Sequence, residues 1–394
     1  MERIGIYGGT FNPPHIGHIQ AAKYARQALK LDKILMIPSC QPPHKELTGG
    51  ADNPDQRLEM LRLCLDGEER IQVCDLELAR GGKSYTVDTV LQLRKLYPDA
   101  ELVLCMGSDM FGIFHQWKDH ITILENASLA VFCRGIKGEG EIISREKASL
   151  EQDGAKVYVV ENPVVSISST DLRRLLAFRC ADPFLDPAVK EYICENGLYG
   201  TGEDYRSLPM DKLEQVVVSL LNPNRVRHVL GCRDTAAELA RVWGADETDA
   251  ARAGLLHDIT KALDGPLQLT LCSQYGIMLD EFSHNNPKTL HALTGSLVAE
   301  RIFGENEAVV KAIASHTTGK GNMNTIEKII YVADYMEPNR DFPGVEELRS
   351  LAYTNLDKAL KLGLEMTLSM LKIQGRQISP GSCEALAWLR EMGI

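Results

Sequence analysis

No stretch of the chain reaches the ~20 consecutive apolar residues that a helix needs to cross a bilayer. The opening residues, MERIGIYGG, show no basic segment, apolar core or small-residue cleavage site of a secretory leader. A cytoplasmic protein that spans no membrane is therefore expected. Ten cysteines are scattered without a Cys-x-x-Cys pair, which excludes a zinc ribbon or a thioredoxin-type motif. Cys105 in LVLCMG and Cys133 in LAVFCR sit in apolar runs and read as buried free thiols. A basic excess is lacking too. Residues 1–200 carry 23 Lys and Arg against 28 Asp and Glu, and the remainder carries 20 against 26, for a net charge of −11. Neither half has the electrostatic footprint of a nucleic-acid binder. A small polyanion needs only local positive groups, so the acidity does not exclude a nucleotide. Internal repeats are absent, and a homo-oligomer is left open.

What is present falls into two halves with different grammar. Up to about residue 200, the short runs RIGIYG, KILMIPS, IQVCDLEL, ELVLCMGS, LAVFCR and KVYVVE read as buried strands with amphipathic helices between several of them. That alternation predicts an α/β, doubly wound parallel sheet. After YGTGEDYRSLPM (199–210) nearly everything has helical period, including NRVRHVLGCRDTAAELARVWG and ETDAARAGLLHDITKAL. The expected organisation is a domain over 1–200, a linker over 201–207 and an all-α domain over 208–394.

The first strand runs directly into GGTFNPPHIGH. Gly8 and Gly9 would let the backbone turn and approach a phosphate without a Cβ, and Pro13 and Pro14 suit a first helical turn. His15 and His18, three apart, would project from one side of the helix start, where the dipole and free N–H groups favour anions. Two imidazoles there can donate hydrogen bonds as charge redistributes in phosphoryl-group transfer. Further along, SISSTDLRR (166–174) sets Ser168, Ser169 and Thr170 before a helical run, with Arg173 on its first turn. Taken alone it is an ordinary N-cap. Taken with the histidine pair, it predicts a triphosphate held between two helix N-termini, with catalysis by positioning and charge stabilisation.

These motifs resemble the HxGH nucleotidyltransferases, and PPHK (42–45), SYTVDT (84–89), GSDM (107–110) and the tryptophan of QWKD resemble nicotinate-nucleotide adenylyltransferase over all of 1–200. The resemblance implies a Rossmann-like domain that joins the adenylyl group of ATP to nicotinate mononucleotide, giving deamido-NAD and pyrophosphate. It implies catalytic roles for His15, His18, Lys45 and Arg173 on the phosphates. Gly8, Gly9, Thr10, Phe11, Gly107, Ser168, Ser169 and Thr170 would line the substrate. Backbone around Thr86 and the ring of Trp117 would hold the nicotinate, and Asp109 the ribose. Asn12 stands where many relatives carry Asp. Mg2+ would arrive with ATP rather than sit in a protein cage.

The second half holds five histidines, His228, His257, His284, His291 and His316, with Asp258 directly after His257 and Asp334 in IIYVADYME. Their wide spacing gives no local zinc-finger pattern. The ordered set His, His-Asp, His, His, Asp over separate helices points to a metal site, since a buried carboxylate is costly unless paired or metal-bound. The order resembles the binuclear HD-domain phosphohydrolases. YVADYMEPNRDFPGV (331–345) resembles the YqeK-like symmetrical dinucleoside tetraphosphate hydrolases, which cleave diadenosine tetraphosphate to two ADP. By that resemblance one metal takes His228, His257, Asp258 and Asp334, and a second shares Asp258 and takes His291 and His316. Such nitrogen and oxygen ligands suit iron or manganese, and the metal pair would activate water. Lys261, placed on the same helix face as His257 and Asp258, would contact phosphate or protonate the leaving group, and His284 would stay outside the ligand set. HTTGKGNM departs from the family at Lys320 and Gly321, where relatives often carry Arg and Pro. A regulatory nucleotide sensor, or a hydrolase of other nucleotides, remains the alternative for this half.

Overall fold

The computed structural model describes residues 1–42, 53–135 and 138–394. By its internal contacts the chain divides into two compact units, Met1–Glu203 and Asp204–Ile394.

In the first unit, β1 (Arg3–Gly9), β2 (Lys33–Pro38), β3 (Ile71–Val73), β4 (Glu101–Gly107), β5 (Ser128–Phe132) and β6 (Val157–Val160) form one sheet in the order β3-β2-β1-β4-β5-β6. Every pairing is parallel. Around it lie α1 (Ile16–Ala28), α2 (Pro54–Cys64), α3 (Leu76–Arg80), α4 (Thr86–Leu96), α5 (Ser108–Phe111), α6 (His120–Asn126), α7 (Glu139–Gln152), α8 (Ser169–Ala177) and α9 (Pro187–Glu195). This is the Rossmann-like, doubly wound arrangement expected. A parallel sheet is covered on both faces, so its strands can be apolar throughout. Alternate side chains sort them: Ile4, Ile6, Leu102, Leu104, Leu129 and Val131 meet Val87, Val90, Ile123 and Ile143. Tyr7, Val103, Cys105, Ala130 and Phe132 meet Ala21, Ala22 and Ala25 of α1 and Leu61 of α2. The order reverses at β1, which pairs with β2 on one side and β4 on the other. Ligands of such sheets bind outside the carboxyl ends at that reversal.

Two strands differ from expectation. IQVCDLEL is a strand only over Ile71–Val73, and Leu76–Arg80 is a helical turn. β3 is an edge strand with one neighbour, so little holds the chain extended once Asp75 turns at φ −87°, ψ 12°. β6 is the opposite edge, and its middle residues, Tyr158 and Val159, are partly or fully exposed.

The second unit is helical throughout its described elements, in agreement with the all-α expectation. Its helices are α10 (Met210–Leu220), α11 (Pro223–Trp243), α12 (Glu247–Leu256), α13 (Gly265–Gln274), α14 (Glu281–Asn285), α15 (Leu290–Arg301), α16 (Glu307–Ser315), α17 (Thr325–Met336), α18 (Val345–Thr354), α19 (Leu356–Ile373) and α20 (Pro380–Glu391). Among the described residues no helix is long and apolar enough to cross a membrane. α11 and α12 approach closely because position 254 is glycine: a Cβ there would lie 2.9 Å from Arg233 Cα. Arg252 of α12 forks onto Glu305 at 2.7 and 2.6 Å and donates a third bond to the Leu208 carbonyl at 2.8 Å. Glu305 is almost wholly buried. Removing one partner of a buried ion pair costs about 3–5 kcal/mol, because the other is left uncompensated. Arg252→Ala should therefore lower the melting temperature of this unit by roughly 6–20 °C, at about 2–4 °C per kcal/mol for a domain of this size. Thermal denaturation of the full chain measures it, and an unchanged transition would refute the role.

Candidate active site and candidate metal centre

At the sheet reversal, β1 ends at Gly9 and the chain passes through Thr10, Phe11, Asn12, Pro13 and Pro14 to His15, the N-cap of α1. The prolines thus precede the helix and do not form its first turn. An N-cap takes extended backbone, and His15 does so at φ −146°, ψ 167°. Gly8 and Gly9 do not make the turn. Both belong to β1, and the left-handed residue of the turn is Phe11, with φ 47°. Glycine is needed at position 9 because a Cβ there would come 2.9 Å from the buried Phe11 ring.

The two imidazoles lie with ring centroids 3.6 Å apart and an interplanar angle of 32°. The His15 backbone N–H donates to His18 Nδ1 at 3.2 Å. In a neutral ring that leaves the proton of His18 on Nε2, ready to donate. Burial, reinforced by the Arg134 guanidinium, holds His15 down at about 3. Burial, then His15, then Arg134 hold His18 well below the usual histidine range. Both rings are therefore neutral donors or acceptors at pH 7.

The loop that carries them is pinned from several sides. Arg57 of α2, fully buried, donates to the Thr10 carbonyl at 2.8 Å and to the Cys40 carbonyl at 3.2 Å. The Tyr199 hydroxyl donates to Asn12 Oδ1 at 2.6 Å. From α8, Arg173 donates to the Asn12 carbonyl at 2.8 Å and the Ser169 hydroxyl to the Pro13 carbonyl at 3.1 Å. The two sequence motifs meet here, 161 residues apart in the Arg173 contact. Arg173 sits on the second turn of α8, not the first, and burial lowers its pKa. Ser168 is the N-cap of that helix, accepting from the Asp171 N–H at 3.1 Å. Thr170 Oγ1 accepts from Arg173 at 3.2 Å.

The remaining expected residues lie around this loop to differing degrees. Gly107 ends β4, where a Cβ would come 2.4 Å from Asp109 Oδ1 and 2.5 Å from Arg134 Nε. Asp109 is exposed, with Arg134 Nε 3.6 Å away. Thr86 opens α4. Trp117 packs at 5.2 Å on Phe114, and its buried Nε1 has no hydrogen-bond partner among the described residues. Among those residues no hydrogen bond or ring contact joins Thr86 or Trp117 to the histidine pair. Lys45 lies outside the described residues. Sequence reasoning missed Arg134, Arg57 and Tyr199. Only Arg134 left a signal, as the first charge beyond the apolar run of β5, at the carboxyl end of the sheet.

In the second unit the six expected ligands converge from α11, α12, α15, α16 and α17 or the turns beyond them. His228 Nε2 lies 3.3 Å from His257 Nε2 and 3.1 Å from Asp334 Oδ1. Asp258 Oδ2 faces His228 and His257 at 3.7 and 3.5 Å, whereas its Oδ1 faces His291 and His316 at 3.5 and 3.8 Å. One buried carboxylate thus presents one oxygen to each histidine pair. Every outward ring nitrogen is engaged: His257 Nδ1 with the Gly254 carbonyl at 2.7 Å, His291 Nδ1 with Lys288 O at 2.9 Å, and His316 Nδ1 with Ile313 O at 2.7 Å. His228 Nδ1 pairs instead with Glu337 Oε1 at 3.1 Å. An engaged Nδ1 proton fixes the tautomer that leaves the Nε2 lone pair as the one a cation would take. Burial lowers His257 and His291 well below their usual range and His316 to about 4. Four imidazoles with engaged outer nitrogens and two carboxylates fit a pair of divalent metals. The subsets His228, His257, Asp334 and His257, Asp258, His316 each bring ligand atoms within 4.8 Å of one another.

His257 ends α12, and Asp258 to Lys261 lie in turns beyond it. Lys261 is therefore not on a shared helix face. The Gly254 carbonyl, which a continuing helix would offer to the Asp258 N–H, is taken by His257 Nδ1, and the chain tightens into three-residue turns, Ile259 N–H to Leu256 O and Lys261 N–H to Asp258 O. Lys261 Nζ still reaches His291 Nε2 at 2.8 Å, and burial pushes its pKa down to about 8. Arg225 pairs with Asp258, and Arg340 with Asp334 at 2.6 Å. His284 lies exposed on the short helix α14. Lys320 is bound to the buried Glu327 at 2.6 Å.

A nucleotidyltransferase-like unit followed by a histidine-rich helical unit is the class these geometries define. Residues 6–175 match the Cytidylyltransferase-like family model and residues 225–339 match the HD domain model. By its first half the chain belongs to the nicotinate-nucleotide adenylyltransferase family. It is 38% identical over 205 residues to a Shouchella clausii protein named "Probable nicotinate-nucleotide adenylyltransferase", covering 52% of this chain and 100% of that one. It is also 38% identical over 214 residues to a protein of the same name from Halalkalibacterium halodurans, covering 54% and 98%. Among solved structures, a predicted HD superfamily hydrolase involved in NAD metabolism from Clostridium acetobutylicum aligns with 37% identity and a TM-score of 0.46, over 47% of this chain and 98% of that one. Plasmodium falciparum nicotinic acid mononucleotide adenylyltransferase, complexed with NaAD, aligns with 20% identity and a TM-score of 0.43, over 51% and 98%.

Proposed function

We propose that the chain is a bifunctional enzyme. Its first unit transfers the adenylyl group of ATP to nicotinate mononucleotide, and its second hydrolyses diadenosine tetraphosphate symmetrically to two ADP. For the transfer, a phosphate oxygen of nicotinate mononucleotide forms a bond to the α-phosphorus of ATP. The bond from that phosphorus to the bridging oxygen breaks, and pyrophosphate leaves with Mg2+. His18 donates Nε2–H to a phosphate oxygen as charge builds there. The loop that holds it is fixed by Arg57, Arg173 and Tyr199. Family membership over the full length of the relatives supports this half.

For the hydrolysis, His228, His257, Asp258 and Asp334 would hold one divalent metal and Asp258, His291 and His316 the other, with iron or manganese suited to the ligands. The metals would supply activated water and neutralise phosphate charge. Arg225, Arg340 and Lys261, which contact the same carboxylates and His291, would receive the polyphosphate. The observation that carries this half is the division of Asp258, one oxygen to each histidine pair.

The test supplies the purified full chain with diadenosine tetraphosphate and Mn2+ or Fe2+, with products resolved by anion exchange. ADP as sole product, two per substrate, is expected. AMP with ATP would mean asymmetric cleavage, hydrolysis only of mononucleotides or alarmones would change the substrate, and binding without release would make the unit a sensor.

A further inference from the structure

Three of the four clustered histidines rest their Nδ1 on a backbone carbonyl, three residues back in each case: His257 on Gly254, His291 on Lys288, His316 on Ile313. His228 alone rests on a carboxylate, that of Glu337, at 3.1 Å. Glu337 is almost completely buried and does not lie among the expected ligands. Its second oxygen accepts from the Asn339 backbone N–H and from Asn339 Nδ2, both at 2.8 Å, and Asn339 Nδ2 also reaches the Arg227 carbonyl at 3.2 Å. Position 231, one turn after His228, leaves room for it: a Cβ on Gly231 would stand 2.4 Å from Glu337 Oε2. Four residues of one short segment, Asp334, Glu337, Asn339 and Arg340 of ADYMEPNR, and the α11 glycine opposite them therefore serve one side of the cluster.

A carboxylate draws the Nδ1 proton more strongly than an amide carbonyl does, so the opposite nitrogen becomes a better electron-pair donor. We propose that Glu337 is a positioning residue that makes the two metal positions unequal, so that the position of His228, His257, Asp258 and Asp334 fills first and more tightly than that of His291 and His316. This rests on the reading of the cluster as a two-metal site. It also assigns a role to a buried motif residue outside the expected ligand set.

The experiment is stepwise loading of the metal-free full chain with Mn2+ against a competing chelator, with metal content measured independently. The native chain should bind two ions in two separable steps, and His291→Ala should remove the weaker. Glu337→Gln should weaken the tighter step by about 10–100-fold, the usual effect of removing an outer hydrogen-bond partner, and leave the weaker step in place. A merely structural role would move both steps together. Asn339→Ala, which keeps the carboxylate and the backbone N–H bond but removes the side-chain bond to its second oxygen, should weaken the same step by less, and it serves if Glu337→Gln fails to fold. An unchanged tight step in a folded Glu337→Gln chain, or a loss confined to the weaker step, overturns the inference while leaving the two-metal reading intact. A native chain that binds no Mn2+ overturns both.

Discussion

His18→Ala should lower adenylyl transfer by about 10²–10³-fold, the cost of deleting one preorganised donor at a developing oxyanion, and leave ADP release from diadenosine tetraphosphate unchanged. The expectation rests on the tautomer. Because His18 Nδ1 accepts from the His15 backbone N–H, its proton sits on Nε2. Because the ring is held well below its ordinary range, it is neutral at pH 7 and donates that proton as a neutral group. Alanine leaves the Phe11 and Tyr7 rings that border His18 in place. Pyrophosphate release in a coupled assay measures the first activity and anion-exchange analysis the second. A parallel fall in both would show that the two sites are not independent.

Asp258→Ala should have the largest effect on the other activity. Its two oxygens serve different histidine pairs, so one substitution weakens both metal positions. His291→Ala touches one of them. Metal content should fall from two ions to fewer than one, and hydrolysis by about three orders of magnitude, since metal stabilisation is worth several kcal/mol and each ~1.4 kcal/mol is tenfold. Adenylyl transfer should be unchanged. A variant that keeps two ions, measured by elemental analysis after desalting, would remove Asp258 from the shared position.

Much of this was legible in the chain itself, for physical reasons that can be stated residue by residue. Central strands such as ELVLCMG are apolar at nearly every position because helices cover both faces, and such runs announce themselves. Edges do not: IQVCDLEL looked like one strand because nothing local records that β3 has a single neighbour. Histidines and aspartates of the helical unit stood out by type and order, and the structure gathers them. The end of α12 at His257 was hidden, because it depends on a ring nitrogen competing for the Gly254 carbonyl. Lys261 was expected beside the ligands by helical spacing and arrives there by a turn. Arg57 and Tyr199 act on backbone and side-chain atoms 47 and 187 residues away, and no local pattern encodes such a contact. Glu337 was in view within a conspicuous motif, yet its role depends on which histidine it faces.

Arg57 also bears on how the transferase site meets its substrates. One buried guanidinium clasps Thr10, just after β1, and Cys40, just after β2, on one side of the sheet reversal. Their separation is thus set when the chain folds, and the ordering cost is met then, not on encounter with nucleotide. A site assembled in advance binds with less loss of freedom, and it holds reacting phosphates near attack distance from the outset. Speed at this centre would accordingly be a property of the folded core as much as of the histidines that face the substrate.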